Sequence, residues 1–449
     1  MLSDQDRIFT NLYGFEDWRL AAARKRGDWD GTKALMEKGA DWIIDQVKAS
    51  GLRGRGGAGF PSGLKWSFMP KKSDGRPAYL VVNADEGEPG TFKDRELMER
   101  DPFQLIEGII CSAYALNSPR SFIFLRGEYL WSGIRIEEAL AEAYAAGYLG
   151  DDIMGSGFSH HITLHYGSGA YICGEETALL EALEGRRGQP RLRPPFPAVA
   201  GLYACPTVIN NVESIAAAGH IIEHGANWWK QWGPERSPGT KLFCVSGEVN
   251  RPGNYEYPMG TPARQIIEEA CGGMLDGREL KFWAPGGSST PLLTAEHYDI
   301  PMDFDSIAAA GSLMGTGAMM MYSDKTSVIE ATLNWIRFYE HESCGKCTPC
   351  REGNFWVGQI LERILGGRGR PEDIATLDEL ADNIFGRSFC ALADGATSSV
   401  KSGIKYFRDE YEYVIANGRL PEHIEPHAGV ITDNAQTDRP EMKVGVGHV

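Results

Sequence analysis

The feature that most constrains the fold is an alternation of short apolar strands with amphipathic helices in the first half of the chain. The strands are predicted at 78–82, 121–125 and 161–166, and the helices at 102–116, 132–146, 175–183 and 212–224. Parallel strands need a crossover connection, which is usually a helix. The alternation therefore predicts an α/β layer fold with a parallel sheet.

The second half of the chain predicts two further kinds of structure. After a linker rich in Pro and Gly at 234–238, short strands surround one helix, which indicates a small α+β module. From Thr326 onwards the pattern is helical, and four helices of that size can bury a core of their own. The module has predicted strands at 241–249, 255–259, 280–284 and 319–322 and a helix at 263–270, and the bundle has helices at 327–341, 352–365, 373–384 and 396–415.

These patterns divide the chain into five segments. Residues 1–75 are predicted to form short helices and a Gly-rich loop, and the polar tail 421–449 is predicted to be disordered. The three predicted domains between them are 76–238, 239–325 and 326–420.

The composition is that of a folded, acidic protein. Hydrophobic residues make up 42% of the 449 residues, which is ordinary for globular domains. The net charge of −16 argues against a nucleic-acid coat or an anionic membrane as partner. No run approaches the ~18 apolar residues of a membrane span, and residues 1–6 lack the apolar core of a secretory signal. We therefore expect a soluble intracellular protein, or one processed before this sequence begins, that binds no nucleic acid and does not insert into a membrane.

A cysteine triplet marks the last quarter of the chain. Cys344, Cys347 and Cys350 have C-x2-C-x2-C spacing, and Cys390 is the next cysteine downstream. Three close thiolates and a distant fourth are typical of [4Fe-4S] ligation, whereas zinc usually takes two separated C-x2-C pairs. The spacing favours an iron–sulfur cluster, with structural zinc as the alternative. The remaining cysteines are interpreted as small buried hydrophobes: 111, 173, 205, 244 and 271.

A glycine-rich loop at 53–60 contains G-x-G-x-x-G. The dinucleotide fingerprint needs a strand before it and a helix after it, and neither is predicted here. Bare backbone N–H groups together with Arg53, Arg55 and Lys65 as local cations still favour a phosphate. The alternative is a mobile linker. The aromatic residues that accompany the loop argue against that alternative, because they can stack on a planar ring: Phe60, Trp66 and Phe68.

Three further loops carry polar or charged residues that suit a ligand. Residues 83–90 and 167–177 each follow a predicted strand, at the edge where α/β folds bind ligands. The basic loop 186–197 is opposite in charge to the whole protein, which suits an anionic ligand, a partner or a solvated surface equally.

One motif suggests metal binding without a complete ligand set. His220, Glu223 and His224 match H-x-x-E-H. The motif lies late on an apolar helix, and no third ligand can be named. We interpret it as a pair of helix-end histidines, which the helix dipole also favours.

Taken together, these segments resemble one family, the NADH-binding, FMN-containing 51 kDa flavoprotein subunit of respiratory complex I (NADH:quinone oxidoreductase). The resemblance covers about residues 8–413. Ser62 and Ser214 stand where many members carry Thr, and both keep a hydroxyl. The motifs that carry it are, in order, 53–61, 83–86, 171–178, 194–197, 210–213 and 342–350.

The resemblance implies an atypical Rossmann-like domain for FMN and NADH, a ubiquitin-like β-grasp module and a helical bundle that holds one [4Fe-4S] cluster. Hydride would pass from NADH to FMN without a catalytic side chain, with positioning by Glu86, Glu88 and Tyr171. FMN would be bound by Gly54, Arg55, Gly56, Lys65, Asn83, Asp85, Glu86, Tyr171, Gly174, Glu175, Glu176, Asn210, Asn211 and Ser214. NADH would be bound by Phe60, Phe68, Glu88, Glu176, Arg193 and Phe196. Iron would be bound by Cys344, Cys347, Cys350 and Cys390.

The resemblance also implies an assembly. The partners would be a thioredoxin-like [2Fe-2S] subunit and a large Fe–S subunit, peripherally on the cytoplasmic side of a bacterial inner membrane, or on the matrix side in an organelle. Two alternatives remain open on sequence: the diaphorase subunit of an NAD-linked hydrogenase or formate dehydrogenase, and a zinc-stabilised scaffold without catalysis.

Overall fold

The computed structural model describes residues 7–72 and 74–425, which divide after Met321 into two compact units. The helices of the first unit are α1 (Leu20–Lys25), α2 (Thr32–Glu37), α3 (Ala40–Ser50), α4 (Ser62–Ser67), α5 (Asp94–Arg100), α6 (Pro102–Ala115), α7 (Leu130–Ala145), α8 (Glu176–Leu183), α9 (Pro197–Ala200), α10 (Val212–His224), α11 (Ala226–Trp229), α12 (Ala263–Gln265, continued by a π-helical turn to Ala270) and α13 (Phe304–Ala309). The strands are β1 (Tyr79–Ala84), β2 (Arg120–Leu125), β3 (His161–Tyr166), β4 (Thr207–Asn211), β5 (Thr240–Gly247), β6 (Gly253–Pro258), β7 (Leu280–Ala284), β8 (Leu293–Thr294) and β9 (Ala318–Ser323).

The predicted parallel sheet is present, and it contains a strand that the sequence did not predict. Within the described residues, four parallel strands have the order β3-β2-β1-β4. The additional strand, β4, pairs with β1 so that Val82 lies opposite Asn210 and Asn83 opposite Asn211. The chain moves from β1 to β2 and β3 on one side and then returns to the other side of β1. The topological switch point, where such sheets bind ligands, is therefore at the carboxyl ends of β1 and β4.

Two helices on this sheet pack at unusually short range. α6 is buried along nearly its whole length and lies against α10. A Cβ on Gly108 would lie 2.5 Å from the carbonyl oxygen of Ile215, so only glycine permits this approach. Asn211 begins α10, because its side chain accepts hydrogen bonds from the N–H groups of Glu213 and Ser214. The helix ends at Gly225, whose φ of 89° interrupts it.

The α+β module forms a second, mixed sheet with the order β6-β5-β9-β7-β8 among the described strands. β5 pairs antiparallel with β6 and parallel with β9, and the side chains of Phe243, Trp283 and Met319 contribute to a separate core. The predicted single helix at 263–270 is regular only to Gln265 and then widens into the π-helical turn.

The second unit contains four of the described helices: α14 (Val328–Glu342), α15 (Thr348–Arg363), α16 (Asp373–Ile384) and α17 (Leu392–Asn417). α15 begins four residues before its predicted start, and α17 also begins four residues early. The predicted disordered tail, 421–449, lies outside the described residues from 426 onwards. Among the residues that are described, we find no helix both long and apolar enough to cross a membrane.

Several segments differ from the sequence-based expectation. The loop predicted at 51–75 contains the helical turn α4, and α5 and α13 were not predicted. These elements are short, so their apolar residues are too few to show a helical period.

Candidate functional site

Polar side chains converge at the carboxyl ends of β1 and β4. The Asn83 side chain donates to the carbonyl of Gly174 at 2.8 Å and accepts from the N–H of Asp85 at 3.1 Å. On β4, the Asn210 side chain accepts from the Trp66 indole N–H at 2.9 Å. The switch point therefore brings together predicted site residues that lie more than a hundred positions apart in the sequence.

The glycine-rich loop is held against the same edge. The N–H of Arg55 donates to the Ser214 hydroxyl at 2.8 Å, which fixes the loop to the first turn of α10. A Cβ on Gly56 would lie 2.9 Å from the Cβ of Asn211, so glycine is needed for this approach. Gly54 and Gly56 thus place side-chain-free backbone beside the switch point, which fits a phosphate-bearing ligand.

The Arg55 side chain does not serve as the local cation that the sequence predicted. It is 1% exposed, and its guanidinium donates to the carbonyls of Arg53, Pro238 and Thr240. Burial lowers the pKa of Arg55 to about 10, although the nearby charge of Glu213 opposes this shift. The guanidinium therefore anchors the loop internally, and any contribution of Arg55 to the site comes from its backbone.

Glu86 forms a buried cap on α5. Its carboxylate accepts from the backbone N–H groups of Lys93 and Asp94, each at 2.8 Å, and from the Tyr129 hydroxyl at 2.9 Å. Burial and then the charge of Asp94 raise the pKa of Glu86 to about 7. These hydrogen bonds fix Glu86, and with it the loop after β1, to the start of α5 and to Tyr129.

Glu88 and Tyr171 form a second fixed pair. The Tyr171 hydroxyl donates to Glu88 at 2.7 Å, and the Ser289 N–H donates to the other carboxylate oxygen at 2.8 Å. Burial raises the pKa of Glu88. A Cβ on Gly87 would lie 3.1 Å from the Tyr171 ring, so a side chain there would require the ring to shift by a few tenths of an ångström. The loops after β1 and β3 are therefore joined through Glu88 and Tyr171.

A bridge of alternating charges crosses the start of α8. The Glu176 carboxylate pairs with Lys65 at 2.8 Å and with Arg193 at 2.8 Å. Arg193 pairs also with Glu175 at 2.9 Å, and Glu175 caps α8 through the N–H groups of Thr177 and Ala178. Each carboxylate is matched by a cation, so the bridge is close to neutral. Lys65, Glu175, Glu176 and Arg193 are thus one connected group.

Exposed aromatic side chains are present among the predicted nucleotide residues. Phe60 and Phe68 are 46% and 54% exposed, and their ring centroids lie 6.2 Å apart. Phe196, at the start of α9, is 58% exposed. Exposed rings of this kind can stack on a planar base.

The cysteine motif lies between helices of the second unit. Cys347 immediately precedes α15, and Cys350 lies in its first turn, where the positive end of the helix dipole favours thiolates. Cys390 lies between α16 and α17. The N–H of Phe389 donates to the Cys347 sulfur at 3.4 Å, so the Cys390 loop reaches the triplet.

Among the described residues, the cysteine sulfurs lack the close spacing of a single tetrahedral zinc site. Tetrahedral zinc, with Zn–S near 2.3 Å, holds its sulfurs roughly 3.8 Å apart. Within the described part of the chain, only His220, Glu223 and His224 form a group of three or more His, Cys, Asp and Glu ligand atoms within 4.8 Å of one another. No three of the four cysteine sulfurs meet that limit. Burial raises the pKa of Cys350 to about 11, so this thiol ionises readily only with a bound cation.

Sequence reasoning missed a buried charge network behind the switch point. Glu213 accepts from Lys93 at 2.9 Å and from Lys241 at 3.2 Å, and all three side chains are at most 1% exposed. Asp94 pairs with Lys93 at 2.8 Å. The sequence carries no clear signal of this network, because Lys93 and Asp94 are followed directly by Arg95 and Glu96, as in an exposed charged segment.

Family models match three parts of the chain. Residues 47–220 match the family described as Nuo51 FMN-binding domain, and 330–414 match the NADH-ubiquinone oxidoreductase-F iron-sulfur binding region. Residues 242–292, within the module of β5 to β9, match the SLBB domain.

Relatives match over nearly their full length. The chain is 53% identical to the NADH-quinone oxidoreductase F subunit of Streptomyces coelicolor, over 95% of this chain and 94% of the relative. It is 55% identical to the F subunit of Mycobacterium tuberculosis, over 90% and 92%. It is 49% identical to mitochondrial NADH dehydrogenase [ubiquinone] flavoprotein 1 of Dictyostelium discoideum, over 95% and 89%.

Among solved structures, the chain resembles a subunit of an NAD+-reducing [NiFe]-hydrogenase in the H2-reduced state. The TM-score is 0.78 at 34% identity, and the match covers 93% of this chain and 69% of the hydrogenase chain. The structure of the air-oxidised state gives the same TM-score and identity, and the match covers 91% of this chain and 72% of the hydrogenase chain.

The family matches fall on the two regions built above. The cofactors are FMN and a [4Fe-4S] cluster, and NADH is the substrate. The chain catalyses NADH oxidation as part of a larger oxidoreductase. The family matches at 47–220 and 330–414 and the relatives that match over nearly their full length show the family. The chain belongs to the F subunits of NADH-quinone oxidoreductase.

Proposed function

We propose that this chain is the electron-input subunit of a respiratory complex I. The observation that carries the proposal is the match to F subunits over nearly the whole of both chains. The identity is 53% over 95% of this chain and 94% of the relative. The hydrogenase subunits match at 34% identity and extend beyond the part that the chain covers. The chain also has nine cysteines, of which the triplet and Cys390 are the grouped set, so it offers no second cluster motif.

The residues at the switch point suit FMN. The glycine backbone at Gly54 and Gly56 would receive the phosphate, with Lys65 as the nearby cation. Asn83, Asp85, Asn210 and Asn211, with Tyr171 and Gly174, would surround the ring and ribityl chain, and Ser214 would hold the loop.

The protein's own part in the reaction is positioning. When bound, FMN takes a hydride from NADH and the [4Fe-4S] cluster accepts single electrons. Glu86 and the Glu88–Tyr171 pair hold the loops after β1 and β3 in one arrangement. Phe60, Phe68 and Phe196 offer faces for the adenine. No side chain has to accept the hydride or a proton from C4 of NADH, so no general base is assigned.

The partners that we propose are a thioredoxin-like [2Fe-2S] subunit and a large Fe–S subunit, on the cytoplasmic or matrix side of the membrane. The test is to purify the tagged chain from its source with whatever remains bound to it. We expect NADH-dependent quinone reduction, the two Fe–S partners and no nickel. H2-dependent reduction of NAD+ by a nickel-containing complex would contradict the proposal and favour the hydrogenase alternative.

The charge bridge predicts how the site selects NADH. In Glu176→Ala, the site loses one carboxylate that would repel a 2′-phosphate, while Arg193 stays nearby, paired with Glu175 alone. We expect kcat/KM for NADPH to rise roughly 10-fold or more, equivalent to about 1.4 kcal/mol, while that for NADH changes less. Steady-state oxidation of both coenzymes measures the ratio.

The matched control is Asp299→Ala, which removes an exposed carboxylate that pairs with Arg264 at 2.7 Å. This variant should keep the wild-type preference. A wild-type protein that already oxidises NADPH as well as NADH would defeat the idea.

A further inference from the structure

The last turn of α10 carries a compact group of metal-ligating atoms. His220, Glu223 and His224 are the H-x-x-E-H residues for which the sequence offered no third ligand. A Glu223 carboxylate oxygen lies 3.5 Å from His224 Nε2 and 3.9 Å from His220 Nδ1. The three ligand atoms lie within 4.8 Å of one another, which no other such group among the described residues achieves. Glu223, which occurs inside the motif, supplies the third ligand.

Helix geometry explains why these atoms meet. Residues at i, i+3 and i+4 share one face of a helix, and two histidines at i and i+4 are a known chelating pair for zinc. Zinc–nitrogen and zinc–oxygen bonds near 2.1 Å place tetrahedral ligand atoms roughly 3.4 Å apart. The observed separations exceed this by about half an ångström at most for the two histidine–carboxylate pairs. Small rotations of the exposed Glu223 and His224 side chains remove that difference.

The surroundings favour a cation and leave it accessible. The C-terminal end of α10 presents the negative pole of the helix dipole. The His220 side chain is 13% exposed and that of His224 is 43% exposed, so one ligand is anchored in the protein and the others face water. The rings of His220 and His224 are nearly parallel, at an interplanar angle of 8°, and the Trp228 ring lies 4.6 Å from that of His224.

We propose that His220, Glu223 and His224 form a binding site for a divalent transition ion of the zinc type, with water completing its coordination. Two imidazoles and one carboxylate are the donor set that such ions prefer. The site lies at the opposite end of α10 from Ser214, and a helix of 13 residues is roughly 20 Å long. It is therefore separate from the switch point, and it shares no residue with the cysteine motif. Because His220 Nε2 is buried without a hydrogen-bond partner in the described structure, the second-sphere support is weak. We therefore expect labile binding, roughly 10- to 100-fold weaker than at a zinc site whose histidines have hydrogen-bond partners.

The test uses the protein loaded with FMN and its cluster, dialysed to equilibrium against a series of free Zn²⁺ concentrations. Zinc and iron per chain are measured together by mass spectrometry. We expect the wild type to bind one zinc that His224→Gln and Glu223→Gln bind at least 10-fold more weakly. Both substitutions are at exposed side chains, so the fold should survive. The control is His161→Gln, because His161 lies 3.7 Å from Asp151 but has no third ligand within reach.

Equal zinc binding by the wild type and His224→Gln would overturn the proposal. Zinc uptake matched by loss of iron would also overturn it, because the ion would then occupy the cysteine motif. Weakened binding in His224→Gln and Glu223→Gln, with iron constant and His161→Gln unchanged, supports it.

Discussion

Serine in place of Cys390 is expected to abolish the [4Fe-4S] cluster while FMN stays bound. Cys390 is the one predicted ligand outside the triplet, and the N–H of its neighbour Phe389 bonds the Cys347 sulfur at 3.4 Å. A serine hydroxyl is a hard donor that ionises far less readily than a thiol, so it does not replace the thiolate. The proposed flavin residues belong to the first compact unit, whereas Cys390 belongs to the second.

The measurements separate the two cofactors. We expect the EPR signal of the reduced cluster to disappear and iron to fall to background in Cys390→Ser. The flavin absorbance should persist, and NADH should still bleach it under anaerobic conditions. Transfer of electrons onward to quinone in the assembled enzyme should fall to background, because the electrons then have no one-electron acceptor in this chain.

Cys205→Ser is the matched control. Cys205 is buried, at 8% exposure, and its thiol donates to the carbonyl of Tyr203 in the first unit, away from the cysteine motif in sequence. This variant should keep the cluster and the activity. An unchanged EPR signal in Cys390→Ser would identify another fourth ligand and contradict the assignment.

The cysteine motif was predictable because most of its residues lie close together in the sequence. Three of the four proposed ligands lie within seven residues, and the helices around them show clear apolar periods. By contrast, β4 was missed. Of its five residues, only Val208 and Ile209 are aliphatic, and it ends in Asn210 and Asn211. A strand so short and polar shows no pattern of its own, although it defines the switch point at which we propose the flavin site.

The roles of individual charges were the least predictable part. Arg55 was interpreted as a cation for a phosphate because of its glycine neighbours, but its partners at 238 and 240 are far away in sequence. Glu86 was expected to line the nucleotide site; its carboxylate caps α5, and its role at the nucleotide stays a prediction. The sequence shows which charged residues lie near a motif and the sign of each charge. Which partner neutralises that charge depends on long-range packing, which a linear pattern does not contain.

Replacing Glu213 with glutamine is expected to destabilise the first unit strongly. The carboxylate is 1% exposed and lies between Lys93 and Lys241, and it also accepts from the Leu242 N–H at 2.9 Å. Glutamine leaves two buried ammonium groups without this counter-charge. Breaking a buried pair from one side costs about 3–5 kcal/mol. We therefore expect the variant to release its flavin at a lower urea concentration than the wild type. Flavin fluorescence at pH 7.5 measures this midpoint.

The pH dependence gives this prediction a second readout. Burial raises the pKa of Glu213, but the charges of Lys241, Lys93 and Arg55 outweigh burial and bring the pKa to about 2. The folded pKa is thus below the ordinary glutamate value. Glu213 therefore contributes stability at neutral pH that is lost as the pH falls from about 4.5 towards 2. The difference between wild type and Glu213→Gln should shrink over that acidic range.

Two companion variants show whether the effect comes from buried charge. Burial lowers the pKa of Lys241 to about 8, and Lys241→Met leaves Glu213 paired with Lys93, so its loss of stability should be smaller. Asp299→Asn breaks the exposed pair with Arg264 and should cost less than about 1 kcal/mol. If Glu213→Gln were as stable as Asp299→Asn at pH 7.5, the buried carboxylate would not be stabilising the first unit. A large loss of stability in Glu213→Gln at pH 7.5 that disappears in acid would show that the Glu213 carboxylate neutralises both lysines in the folded protein.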